Sequence, residues 1–340
     1  MITNIEFPRP KSLRNWISYL IREVQEKRYT YNQNQVIKRA LKQKRIVFGP
    51  FIGELGHLLA HNLPLISFLH KQEVHVEFIG FERFKPFLKD DKDNNLFGTF
   101  HLIRDFSVET KIVSNSAENI PKDIQRIIES IKKETREKNI PELFIDKPQE
   151  YWLFYRKWVH NTKYRYSYSL DKVYATNSVE PNSCAIFIRS KNVVSKEQQS
   201  IKAEANGPLW DYQELIRQVA RRFNKVYLIG TPNESISNSF KGFDNVIWKV
   251  GLNNTEMLEV VCNSRLVITP HSGAMYLSAY FNTQFLIIYR GIKHFSEIGD
   301  INSTLTFLNR INPKTNLIFA FQNEDLVLKI EEINNEKTRN

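Results

Sequence analysis

Apolar positions along this chain of 340 residues fall into two rhythms, and the second half shows them most plainly. Ala185–Ile188 is a short apolar run that predicts a buried strand, and Leu209–Phe223 carries apolar residues at helical spacing. Lys225–Gly230 and Asn245–Val250 read as further strands. Asn254–Cys262 reads as a helix capped by Asn254 or Thr255. Leu266–Thr269 is a strand, a helix starts at Gly273, and Phe285–Tyr289 closes the series. The first half repeats the alternation less regularly. Arg45–Phe48 is a strand, Leu55–Lys71 a helix after a Gly-containing turn, and Glu73–Ile79 a strand with Val74, Val76 and Phe78 alternating. Residues 88–98 form a polar loop, and Ile120–Asn139 a charged amphipathic helix. The aromatic segment 151–170, with Trp152, Tyr155 and Trp158, fits neither rhythm and holds the interdomain connection, followed by a polar stretch at 176–183. Strands alternating with helices imply βαβ units and parallel sheets. The expected class is therefore α/β, with two domains.

A third pattern precedes the first strand. Leu13, Trp16, Ile17, Leu20, Ile21 and Val24 recur at helical spacing behind Ser12 as an N-cap. Residues 1–45 hold eleven Lys/Arg against three Asp/Glu, a balance of +8 out of the chain's +11. Arg14, Arg22, Lys27 and Arg28 flank the apolar stripe. Two readings stand: a helix packed on its domain with its charges in water, or a basic amphipathic helix on an anionic membrane surface. No nucleic-acid-binding motif accompanies the charge, so a nucleic-acid partner is not expected. No apolar run is long enough to span a bilayer, and the start MITNIEFPRP lacks the features of a signal peptide. Cys184 and Cys262, in apolar contexts without metal-ligand spacing, are expected to be reduced core residues. These features together predict a cytoplasmic protein, with peripheral attachment to the membrane's inner face on the second reading.

Parallel sheets bind ligands outside the carboxyl ends of their strands, and that rule sorts the candidate chemistry. After Ile188 come Arg189, Ser190, Lys191 and Asn192. Gly230 and Thr231 follow Ile229. After Ile268 come Thr269, Pro270, His271, Ser272 and Gly273, leading into Ala274 and Met275. These loops offer cations, hydroxyls, a tight turn and a helix N-terminus with unpaired N–H groups, a set suited to a diphosphate. Singly, Arg189 or Lys191 is an ordinary surface charge and Ser272 an ordinary cap; the convergence of three loops is what points to an anion. In the first half, Gly49, Gly53 and Gly56 allow close backbone approach around Glu54, a carboxylate able to take a proton from a sugar hydroxyl or simply to complement a helix dipole. His57 and His61 stand one helical turn apart with no third ligand, and Asp91-Lys92-Asp93 lies in a polar loop with no strand before it. No metal site is expected.

Gly49-Pro50-Phe51-Ile52-Gly53-Glu54-Leu55-Gly56, Arg189-Ser190, Leu228-Ile229-Gly230, Ser272 to Ser278 and Asn312-Pro313 together resemble the glycosyltransferases of the GT-B architecture, in their heptosyltransferase-like branch. The resemblance spans roughly residues 45–320. It implies two Rossmann-like domains facing each other across a cleft: an acceptor domain at 46–175 and a nucleotide-sugar domain at 183–320. A basic segment at 1–45 and a C-terminal helix or tail at 321–340 flank them. The resemblance further implies metal-independent, inverting transfer from a nucleotide sugar to a glycan or lipid-linked acceptor in surface-polysaccharide biosynthesis, with no cofactor beyond the substrate. Glu54 would be the base. Arg189, Lys191 and the Ser272–Ala274 turn would hold the diphosphate, with Gly230, Thr231, His271 and Met275 beside it and Gly49, Gly53, Gly56 and His57 on the acceptor side. Where heptosyltransferases carry Asp-Thr-Gly and then His, this chain has His271 and Tyr276, so the resemblance does not extend to an ADP-heptose donor. A nucleotide-sugar epimerase and a non-catalytic nucleotide-sugar-binding scaffold would use the same architecture.

Overall fold

The computed structural model describes residues 13–52, 55–105, 120–144, 168–176, 180, 182–188, 212–230, 243–270, 273–288, 308, 317–320 and 328–332. The chain divides into two compact units. One comprises Met1–Glu54, His61–Leu88 and Asn95–Tyr166; the other comprises Leu55–Ala60, Lys89–Asn94 and Ser167–Asn340. Of the segment 151–170, only 168–170 are described.

In the first unit, helix α1 (Leu13–Gln43) runs into a four-stranded sheet of β1 (Arg45–Phe51), β2 (His75–Phe81), β3 (Thr99–Ile103) and β4 (Glu142–Phe144). The order is β3-β2-β1-β4, and every neighbouring pair is parallel. Apart from their first residues, β1 and β2 are buried along their whole length. A parallel sheet covered on both faces reads as a continuous apolar run, so the alternation of Val74, Val76 and Phe78 understates how much of β2 is inside. Phe48 and Phe78 stack with ring centroids 5.8 Å apart across β1 and β2.

Glu77 is the one carboxylate inside this strand pair. Burial alone would raise its pKa, but hydrogen bonds from Arg45 Nε and from His101 Nε2 (3.1 Å) outweigh it and hold the carboxyl below its ordinary value. A depressed folded pKa stabilises the protein above the unfolded value of 4.5, and that stability is lost as pH falls through the folded value. Glu77→Gln is therefore expected to lower stability on the order of 1 kcal/mol near neutrality. The gap to wild type should close on acidification below 4.5. Melting curves of both proteins against pH test this, and a gap independent of pH would show that the charge is not what matters.

The helix predicted over Leu55–Lys71 is not continuous. It is a three-residue turn α2 (Leu55–His57), a wide π turn over Leu58–Asn62, and α3 (Leu63–Lys71). Pro64 supplies the reason: it has no N–H to donate to the residue 60 carbonyl and its ring crowds that position, so the preceding turn widens. The helix over 122–137 (α4, Lys122–Glu137) forms as expected, burying Ile124, Ile128 and Thr135.

The second unit is a six-stranded, all-parallel sheet of β5 (Ser183–Phe187), β6 (Lys225–Gly230), β7 (Val246–Val250), β8 (Leu266–Pro270), β9 (Gln284–Ile288) and β10 (Leu317–Ala320). Its order, β10-β9-β8-β5-β6-β7, becomes 6-5-4-1-2-3 when counted within the unit, which is the Rossmann order. Cys184, Ile186, Leu228, Leu266, Ile268 and Leu286 form the core with Leu215, Ile216 and Val219 of α6 (Tyr212–Ala220). Ile330, in the helical residues 328–332, is buried in the same core. The short α5 (Asp171–Tyr174) precedes the sheet, and Asp171 accepts the Asn282 N–H at 3.1 Å. Helix α7 (Asn254–Asn263) is capped by Asn253, not by Asn254 or Thr255. The Asn253 side chain accepts the Glu256 N–H at 3.0 Å, and Glu256 accepts the Asn253 N–H in return, a reciprocal capping box. Cys184 and Cys262 are free, and burial followed by the neighbouring Asp171 pushes the Cys262 thiol up to about 12.

Candidate functional site

The three loops singled out in the second half follow β5, β6 and β8, and these strands lie side by side. Cys184 pairs with Leu266 and with Val226; Ile186 pairs with Ile268 and with Leu228. All three strands are parallel, so their carboxyl ends share one edge of the sheet. Between β5 and β8 the strand order reverses, and at such a switch point the two following loops diverge and leave a crevice. Gly230 ends β6, and Gly273, Ala274 and Met275 begin the element after β8. Arg189, Lys191, Thr231, His271 and Ser272 lie outside the described residues, directly after these strand ends. Met275 is buried, whereas Gly273 and Ala274 are partly open.

The element after β8 is a seven-residue 3-10 helix, Gly273–Ala279, and not the α-helix expected from the sequence. So short a segment has little macrodipole, so anion binding there would depend on individual N–H groups of the turn. Ser278 Oγ donates to the Met275 carbonyl at 2.6 Å, which ties the side chain back onto its own turn.

Two glycines meet at this element. A Cβ on Gly273 would lie 2.8 Å from the Gly56 nitrogen and 3.0 Å from its Cα; a Cβ on Gly56 would lie 2.8 Å from Gly273 Cα. The Tyr276 ring stands against the same spot, 3.6 Å from that Gly56 position. One turn on, the buried Tyr280 hydroxyl donates to the Leu59 carbonyl, and burial raises its pKa far above the ordinary value. The stretch Leu55–Ala60, which directly follows the loop carrying Glu54, thus packs in the second unit. Sequence reasoning missed this contact. Residues 59 and 280 stand 221 positions apart, and no local spacing links them.

The first-half candidates distribute unevenly. Gly49 is inside β1 at φ +125°, and its missing side chain makes room for the Ile79 carbonyl, 2.5 Å from where a Cβ would stand. Its close approach is to strand β2, so the loop begins only after Phe51. Gly53 and Glu54 lie outside the described residues. His57 and His61 have described backbones in α2 and the π turn, while their side chains lie outside the described set. Asp91-Lys92-Asp93 is part of a turn organised by Asp90. That carboxylate is buried and accepts the Lys92 and Asn94 N–H groups, each at 2.8 Å, and the Asn94 side-chain amide at 3.0 Å. Among the described residues, no three His, Cys, Asp or Glu side chains cluster as metal ligands would.

No protein-family model matches the chain, and a search of curated proteins also finds no match. Its fold is similar to that of solved glycosyltransferases. E. coli ADP-heptose lps heptosyltransferase II aligns over 86% of this chain and 99% of its own, with 10% identity and a TM-score of 0.51. A glycosyl transferase family 9 protein from Veillonella parvula aligns over 86% of this chain and 89% of its own, with 13% identity and a TM-score of 0.49. E. coli heptosyltransferase WaaC with ADP aligns over 86% and 99%, with 11% identity and a TM-score of 0.49. The likeness to heptosyltransferase II defines the class of fold, α/β with parallel sheets.

Proposed function

We propose that the protein is a glycosyltransferase of the GT-B type. In this reading two Rossmann-like domains, 46–175 for the acceptor and 183–320 for a nucleotide-sugar donor, face each other across a cleft. Residues 1–45 and 321–340 flank them. The enzyme transfers a sugar to a glycan or lipid-linked acceptor in surface-polysaccharide biosynthesis, in the cytoplasm at the membrane's inner face. The observation that carries the reading is the adjacency of β8, β5 and β6 at the switch point of a Rossmann-order sheet, with each donor-side candidate at the end of one of those strands or in the segment that follows it. The fold likeness to a protein named for ADP-heptose supports it. His271 and Tyr276 depart from the heptosyltransferase pattern, so the nucleotide-sugar donor is not required to be ADP-heptose.

The chemistry follows from those positions. The diphosphate accepts hydrogen bonds from the Arg189 guanidinium, the Lys191 ammonium and the turn N–H groups at Ser272, Gly273 and Ala274. Glu54 takes the proton of the acceptor hydroxyl as its oxygen bonds to the anomeric carbon from the face opposite the leaving group. The bond from that carbon to the diphosphate breaks, its electron pair leaves with the phosphate oxygen, and the configuration inverts. The cations neutralise the leaving charge, so the step runs without a metal.

A thermal-shift screen against nucleosides, nucleotides and nucleotide sugars tests the donor site. A ligand held only by the folded state at one hundred times its Kd adds about 2.7 kcal/mol. Arg189→Ala is expected to weaken nucleotide-sugar binding by about 1.5–3 kcal/mol and to leave nucleoside binding nearly unchanged. Equal loss for nucleoside and nucleotide would show that Arg189 does not read phosphate.

A further inference from the structure

Helix α1 carries an apolar surface that its own unit does not cover. Trp16, Ile17, Leu20, Ile21 and Val24 are between 41% and 65% exposed, so the packing reading of this stripe does not hold. What packs is the far end of the helix, where Ile37 and Ala40 are buried. At about 100° per residue the five apolar positions fill an arc of about 140°. Ile37 and Ala40 fall on the opposite side of the helix, so this arc faces outward. Lys27, Arg28, Tyr31, Lys38 and Lys42 fall within the same arc and are all exposed. The acidic positions 23 and 26 fall outside it. One outward face thus runs from apolar near the N-terminus to cationic near the C-terminus, along a helix about 45 Å long.

We infer that this face of α1 lies flat in an anionic lipid surface, with Trp16, Ile17, Leu20, Ile21 and Val24 below the headgroups and Lys27, Arg28, Lys38 and Lys42 among them. The charge decides the occupant. A second copy of the helix, paired face to face in either direction, would offer no carboxylate from within that arc to those cations, and in the parallel direction would set like charges together. Anionic headgroups answer all of them at once. The arc is also wider than the narrow seam of a two-helix coiled coil. The inference deepens the peripheral-membrane part of the proposed function and stands independently of sugar transfer.

The test is co-sedimentation of the full chain with vesicles of equal parts phosphatidylcholine and phosphatidylglycerol, and with phosphatidylcholine alone. Wild type is expected to favour the anionic vesicles by at least about tenfold, since each cation near the surface adds about fivefold, and to lose that preference at high salt. Ile17→Glu with Leu20→Glu should reduce binding to both vesicles by at least about tenfold, by placing charge in the apolar layer. Lys27→Gln with Arg28→Gln should remove most of the anionic preference. All four side chains are exposed, so unchanged melting temperatures show that the variants fold. Wild-type binding by the Ile17→Glu, Leu20→Glu variant would overturn the inference. So would a wild-type dimer in sedimentation analysis that this variant makes monomeric without any vesicle binding by wild type. Nucleotide-sugar binding measured on the same variants should be unchanged, so failure here leaves the transferase reading intact.

Discussion

Glu54→Gln is expected to lower the rate of sugar transfer by about 100-fold or more while leaving nucleotide-sugar affinity unchanged. The first sheet supplies the reason. Its order β3-β2-β1-β4 reverses direction at β1, so the loop after β1 is the one that opens a crevice at the carboxyl edge. Glu54 is the only titratable residue of Ile52–Gly56, the stretch that follows β1. Glutamine keeps the shape and the hydrogen-bonding reach of that side chain but cannot accept the acceptor's proton. Steady-state transfer and nucleotide-sugar binding measured on one preparation separate the roles. Loss of both would place Glu54 in the donor site, and normal transfer would move the base elsewhere. Glu82 and Asp105 would then be examined, although both are exposed and stand beside cations, Lys85 at 3.2 Å and Arg83 at 3.9 Å.

How much of the fold is legible in the sequence depends on what each signal reports. Strands in the middle of a sheet are buried on both faces, and their apolar runs announced β1, β2, β5, β6, β8 and β9 with ends off by at most three residues, the largest gap being Phe48 against Phe51 in β1. The strands that went unread, β3, β4 and β10, are all edges. β3 is partly open along Thr99–His101, β4 is three residues long and β10 four. An edge has one partner and less to bury, so its composition says less, although the edge strand β7 is legible in Asn245–Val250. The capping box at Asn253 was present in the letters Asn253 and Glu256, but two further candidates beside it obscured the register. The candidate site divides along the same line. Which residues follow which strands is a sequence fact; that β5, β6 and β8 are neighbours is a topological fact that no periodicity contains. The free face of α1 lies beyond both, because helical spacing reports an apolar stripe without saying whether anything covers it.

Gly273→Ala and Gly56→Ala are each expected to destabilise the protein by about 3 kcal/mol, at the upper end of what overpacking costs. From sequence, Gly273 is a residue whose missing side chain leaves room for phosphate, which predicts a folded variant that binds donor poorly. The structure gives the glycine a second task. Its Cβ direction points at the Gly56 backbone, 2.8 Å from the nitrogen, and the Gly56 direction points back at Gly273 Cα, also at 2.8 Å. Backbone atoms cannot rotate aside as a long side chain can, so either methyl must push the two segments apart. Separation would strain the nearby hydrogen bond from the Tyr280 hydroxyl, just past the end of the same short helix, to the Leu59 carbonyl, and its donor is fully buried. Because both substitutions open the same crossing, the double variant should cost clearly less than the sum of the two, a coupling on the order of 1–2 kcal/mol. Denaturant melts of the four proteins give that cycle, and nucleotide-sugar affinity measured on them shows whether donor binding falls in step. Additive costs would mean that the two glycines do not share a contact. If Gly273→Ala lost donor affinity with its stability unchanged, Gly273 would be serving the phosphate alone, and the crossing with Gly56 would have no energetic weight.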